Sequence, residues 1–214
     1  MIPVHRKSEN EKYTFSELYE IIKLLRSPEG CPWDRAQTHE SLIKPMIEEA
    51  YEAVDAIEKG SRDKLVEELG DVLLQVIFHS ILGEEEGLYG FHDITDGCAR
   101  KMLFRHSHVF GDAVAQDAGQ ALHNWEEMKK KEKGFSDVWE EIADIPNCFP
   151  ALMRAAKRAR KLRKAGEKDD KIREDILPAI DYSDPGQVSC LLYSICAKAE
   201  EAGVDCETAL LKET

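Results

Sequence analysis

The chain predicts an all-α protein. Apolar residues recur at helical spacing along most of its 214 residues, the alternation of β-branched residues that marks strands is missing, and Gly and Pro fall between the periodic segments. The periodicity places helices at Thr14 to Arg26, Ser41 to Lys59, Ser61 to Glu86, Phe91 to Arg105, Ala118 to Lys133, Ala151 to Ala165 and Gln187 to Glu201. SPEGCPWD separates the first two. A Lys59-Gly60 stop followed by a Ser61 cap separates the second and third, and GLYG near Gly87 ends the third. GFSDVWEEIADIPNCFP, between Gly134 and Pro150, holds two prolines and marks a boundary, so residues 1–134 read as one helical domain and 135–214 as a linker with a smaller helical region.

Composition narrows the function. A net charge of −13 repels nucleic acid and anionic lipid alike, so a phosphate-bearing ligand must meet a local cation or a metal. No run approaches the roughly 18 apolar residues of a membrane span, and MIPVHRKSENEKY lacks the apolar core of a secretory signal, so a soluble, cytoplasmic protein is expected. The cysteines Cys31, Cys98, Cys148, Cys190, Cys196 and Cys206 have no zinc-ligand spacing and read as reduced core thiols. His106 and His108, two apart, point to different sides of a helix and make a poor metal pair.

The acidic segments carry the chemistry. Winding MIEEAYEAVD as a helix puts Ile43, Ile47, Ala50, Val54 and Ile57 on one side and Glu48, Glu49, Glu52 and Asp55 on the other, which alone reads as a solvated acidic face. The next helix changes that reading. Leu65, Val66, Leu69, Val72, Leu73 and Leu74, continuing through Leu82, wrap nearly its whole circumference, so it should be buried. Lys64, Glu68, Asp71, Gln75 and His79 form a narrow polar stripe on it, and carboxylates there cost several kcal/mol each unless a cation is supplied. Residues three apart on a helix are neighbours, so Glu49 with Glu52 and Glu68 with Asp71 make two claws. Antiparallel packing about Gly60 sets the claws face to face. Hard oxygen donors with at most one nearby lysine suit Mg²⁺ or Mn²⁺; a buried acid pair held by Lys64, Lys44 or another lysine is the alternative.

The run CPWDRAQTHESLIKPMIEEAYEAVDAI, followed by DKLVEELGDVLLQVIFHS, resembles the MazG family of nucleoside triphosphate pyrophosphohydrolases. The family's EExxE and ExxD pattern is matched by Glu48, Glu49, Glu52, Glu68 and Asp71, and the similarity extends from about Phe15 to Lys133 and on through DIPNCFPALMRA. The resemblance implies an all-α pyrophosphatase bundle that dimerises, and the reaction of a (d)NTP with water to give (d)NMP and pyrophosphate. It further implies that Glu49, Glu52, Glu68 and Asp71 hold the metal, that Glu48 orients a water or faces solvent, and that Lys64, Lys101, Arg105, Trp125 and Lys129 meet phosphate and base. Lys101 and Arg105 lie four apart on one helix face, as do Trp125 and Lys129. Each alone is equally well a surface cation or a packed tryptophan. Trp33 and Asp34 in GCPWD are expected to serve packing and capping.

The second half departs from the family's two-domain members. GDVLLQVIFHSILGEEEG is echoed by SCLLYSICAKAEEAG, but Gln187 and Cys190 stand where the first copy has Glu68 and Asp71. Catalysis is therefore expected within 1–134. RAAKRARKLRKAG carries seven basic residues between Arg154 and Lys164; a nucleic-acid or ribosome contact is one reading, and a solvated helix balancing the chain's own acids, favoured by the overall charge, is the other. Two functions follow: a nucleotide-pool housecleaning hydrolase acting on normal or damaged (d)NTPs, or a non-catalytic helical nucleotide-binding regulator or scaffold.

Overall fold

A computed structural model describes residues 6–8, 10–168 and 180–188, and within 189–214 residues 191, 192, 195, 202, 204, 209, 210 and 213. Among the described residues the regular structure is helical, with no strand. The main elements are α1 (Phe15–Arg26), α2 (Pro32–Arg35), α3 (Ile43–Glu58), α4 (Arg62–Glu85), α5 (Phe91–Arg105), α6 (Ser107–Phe110), α7 (Ala118–Lys133), α8 (Val138–Ala143) and α9 (Ala151–Ala165). Periodicity located the long helices to within two residues at either end. The short helices α2 and α8 lie in segments read as a turn and a linker, and α6 lies between two expected helices where no element was expected. The expected helix from Gln187 to Glu201, with its echo of α4, falls largely outside the described residues.

The chain divides into two compact units, 1–104 and 105–214. In the first, Thr14 and Glu17 form a reciprocal capping box that starts α1. α1 then lays Ile22 against Ile77, Phe78, Ile81 and Leu82 of α4, with Leu42 closing the cluster. Arg26, almost fully buried, makes a bidentate pair with Glu85 (2.9 and 2.7 Å) and donates to the carbonyl oxygens of Asp34 and Gln37. One guanidinium thus ties α1, α2 and α4 together, satisfying its charge as burial requires.

α3 and α4 form the hairpin that carries the acids. Gly60, at φ 64°, takes the left-handed conformation that ends α3. Its N–H donates to Ile57 O, and that of Ser61 to Ala56 O, the paired bonds of a glycine helix stop. Ser61 precedes α4 as expected, but its side chain makes no capping bond. The side of α3 turned inward is Ala53 and Ala56, the two buried residues of that helix. Ile43, Ile47, Val54 and Ile57, placed by the sequence on one apolar side, are exposed instead, as are Val66 and Leu69 of α4. The expectation that α4 is buried all round therefore holds only for its C-terminal half. Small alanines let α3 approach α4 through its acid-bearing side, which leaves the bulky side outward.

In the second unit Asp117 caps α7 and Asp137 caps α8, each accepting a backbone N–H at 2.9 Å. Among the described residues, Ile145 and Leu162 are its buried hydrophobic ones. Two expectations are corrected: Trp33 is 64% exposed because α2 is a single surface turn, so it does not pack, and Cys98 and Cys148 are exposed free thiols rather than core residues. Cys190, Cys196 and Cys206 lie outside the described residues.

Candidate metal centre

Glu49 stands four residues before Ala53 on the side of α3 that faces α4, so the packing that buries the alanines draws its carboxylate inward. Glu68 and Asp71 rise from the first turns of α4. One carboxylate oxygen from each of Glu49, Glu68 and Asp71 lies within 4.8 Å of the others. Glu68 is only 3% exposed; the other two are half-buried. Glu49 thus points into the hairpin toward Glu68 and Asp71 rather than lying on a solvated acidic face, the reading of its helix taken alone. Glu52 and Glu48 are exposed and stand outside this trio, Glu48 pairing with Lys44 at 3.3 Å.

Like charges crowd the trio. Burial, followed by the charges of Asp71, Glu52 and Glu68, pushes the Glu49 carboxyl above its usual range. Against three carboxylates, among the described residues, stands one amine: Lys64 Nζ meets Glu68 Oε1 at 2.9 Å, and this bond holds the lysine above its ordinary value. Lys44, the other amine considered, is engaged at Glu48. Three hard oxygen donors with one cation among them fit a divalent ion such as Mg²⁺ or Mn²⁺ better than they fit each other.

The polar stripe of α4 continues past the trio. Gln75 is 6% exposed, and its Oε1 has no hydrogen-bond partner. His79 stacks on His39, their Nδ1 atoms 2.7 Å apart, and burial together with His39 pulls the His79 pKa down. The stripe gave notice of Gln75 and His79; His39, in a loop with no periodicity, gave none.

The expected cations fall in two places. Lys64 and half-buried Lys101 belong to the first unit. Arg105, Trp125 and Lys129 belong to the second, where Arg105 is buried, pairs with Glu132, and sets its guanidinium 5.0 Å from the Trp125 ring centroid, with Lys129 Nζ at 5.8 Å. These cation–π contacts place Trp125 among charges rather than in an apolar core.

Residues 37–110, spanning both acidic helices, match the MazG nucleotide pyrophosphohydrolase domain. A nucleoside triphosphate pyrophosphohydrolase/pyrophosphatase MazG from Thermotoga maritima is 39% identical over 211 residues, covering 94% of this chain and 81% of that protein. The chain belongs to the MazG family. The nucleoside triphosphate pyrophosphohydrolase of Escherichia coli K12 is 40% identical over 150 residues, 70% of this chain and 57% of that enzyme. A Bacillus subtilis protein, YabN, is 46% identical over 156 residues, 73% of this chain but 32% of its own length. The chain therefore spans about a third of the length of one of these relatives and over half of another.

Proposed function

We propose that the protein is a divalent-metal-dependent nucleoside triphosphate pyrophosphohydrolase that converts (d)NTP and water to (d)NMP and pyrophosphate. The observation that carries this reading is the convergence of Glu49, Glu68 and Asp71 within 4.8 Å with a single amine to offset them. A scaffold has no need of three crowded carboxylates, whose mutual repulsion opposes folding. The relatives named as pyrophosphohydrolases support the reaction class.

Glu49, Glu68 and Asp71 would hold the metal, with Glu52 the flanking acid. Bound there, Mg²⁺ or Mn²⁺ supplies positive charge to phosphate oxygens and acidity to a coordinated water. In the reaction a water oxygen bonds to phosphorus as the α–β anhydride bond breaks, and pyrophosphate leaves with its charge shared by lysine and arginine. Lys64, its side chain 44% exposed, can hold Glu68 while offering its ammonium to a phosphate oxygen. Lys101, Arg105, Trp125 and Lys129 are assigned to the triphosphate and base. Glu48, exposed and paired with Lys44, is left outside the ligand set. Catalysis is assigned to 1–134, and 135–214 to a supporting role.

The homodimer belongs to the same proposal. Ile43, Ile47, Tyr51, Val54 and Ile57, with Val66 and Leu69, expose a continuous apolar face beside the acids, each 49–68% accessible. Faces of this kind mark association sites, and a second copy of the chain offers a self-complementary surface. No helix among the described residues is long and apolar enough to cross a membrane, and a cytoplasmic setting is part of the proposal. The test is product analysis over a panel of (d)NTPs with Mg²⁺ or Mn²⁺. The proposal requires (d)NMP and pyrophosphate from the wild type and a collapse of the rate in Asp71→Asn. Equal pyrophosphate release from both proteins, or binding without turnover in the wild type, would reject it.

A further inference from the structure

The second unit contains a cavity of about 620 Å³ enclosed by α7, α8, α9 and the segment between the last two. Its size is that of a small-ligand site. Among the described residues, seven basic side chains line it, against three acids, Glu126, Glu141 and Asp144. In a molecule of net charge −13 such a surplus of cations in one hollow calls for an explanation.

Part of the basic charge is balanced internally. Lys161 meets Glu141 at 2.6 Å, Lys164 meets Glu126 at 2.7 Å, and Lys133 meets Asp144 at 3.2 Å. Lys130 also reaches Glu141, at 3.4 Å, so that acid serves two lysines. To this extent α9 does balance the chain's own acids. The remainder is not balanced: among the described residues no carboxylate pairs with Lys129, Lys157 or Arg160. Lys157 Nζ lies 5.2 Å from the Phe149 ring centroid, and Lys129 over Trp125, so aromatic faces rather than carboxylates receive these ammonium groups.

We propose that this cavity is a metal-independent oligophosphate site in which Lys157, Arg160 and Lys161 of α9, together with Lys133 of α7, grip a small ligand of three to four negative charges. Among the described residues, seven basic against three acidic linings leave a formal surplus of four, which a triphosphate group neutralises and a single orthophosphate does not. Lys129 shows the strain of the uncompensated state: burial, then the charges of Lys161 and Arg105, pull its pKa down despite some relief from Asp144. The lining apolar groups Ile145, Pro146 and Phe149 lower the local dielectric and strengthen attraction for an anion. Trp125 and Lys129, assigned above to substrate, lie in its wall; the α9 cations are additional and need no hydrolysis at the acidic cluster.

The experiment is calorimetric titration of the full chain with tripolyphosphate and, separately, with ATP, both in EDTA so that the acidic cluster cannot recruit the ligand through a metal. Saturable binding to the wild type is expected, unchanged in Asp71→Asn and at least tenfold weaker in the double variant Lys157→Gln/Arg160→Gln, with circular dichroism confirming the fold. Tripolyphosphate and ATP binding alike would mean that the phosphates alone are read; tighter ATP would mean a nucleotide-borne chain. No saturable binding in EDTA, binding lost in Asp71→Asn, or binding indifferent to the α9 variant would overturn the assignment. An RNA oligonucleotide that binds where tripolyphosphate does not would overturn it too.

Discussion

The two ends of α4 have the same sequence character and opposite surroundings. From Ile77 to Gly83 the helix is buried against α1, and its polar neighbours are matched: Ser80 lies 3.1 Å from the Tyr19 hydroxyl, and Glu85 takes the Arg26 fork. From Arg62 to Asp71 it leaves Val66 and Leu69 in water and carries two of three acids that share one lysine. One end is complete within the chain. The other, among the described residues, leaves an apolar side exposed and three carboxylates with one lysine, so it is where the proposed second chain and metal would bind.

The sharpest break between the two ends is in activity. Asp71→Asn should lower the turnover of (d)NTP by roughly 100-fold or more, as loss of a metal-holding or charge-stabilising group does, while raising the thermal midpoint of the metal-free protein because one crowded carboxylate is gone. Ile81→Ala, at the other end, should do the reverse: it removes a side chain 1% exposed and should cost about 2–5 kcal/mol in a urea melt with turnover kept in the folded fraction.

Substitutions on the outward face should separate association from folding. Ile47→Asp together with Val66→Asp should convert a dimer into a monomer by sedimentation, while each surface change costs the isolated chain no more than about 0.5 kcal/mol. A monomeric wild type would remove the dimer from the account and leave the metal centre standing. The smallest expected effect lies where the halves of α4 meet. His79 has a folded pKa below its ordinary 6.5 because of burial and then His39, so its neutral form contributes stability at neutral pH. That contribution should fade as pH drops from about 6.5 through the lowered value, and His79→Gln should flatten the slope in a pH series of thermal melts.

The sequence disclosed these elements unequally, for physical reasons. Helices of twelve or more residues repeat their apolar spacing several times, and α1, α3, α4, α5, α7 and α9 were all located by it. A helix of four to six residues never completes that repeat. α8 still had a readable start, since Asp137 precedes Glu140 at the spacing of an N-terminal cap, but two prolines nearby favoured a linker reading. Periodicity also separates the two sides of a helix without saying which is inside. The bulky side of α3 passed for core, whereas Ala53 and Ala56 set the close contact and turned Glu49 inward. Glu68 and Asp71 were legible because acids inside an apolar circumference demand a counter-ion. The His39 to His79 contact was not, because it joins a loop to a helix forty residues away.

The most direct measurement is Mn²⁺ titration of the metal-free protein, followed by electron paramagnetic resonance and calorimetry, beside Glu68→Gln and Asp71→Asn. Saturable Mn²⁺ uptake by the wild type, displaced by Mg²⁺, is expected, with at least tenfold weaker uptake by either variant. Isotherms that superpose for all three proteins would contradict the metal centre.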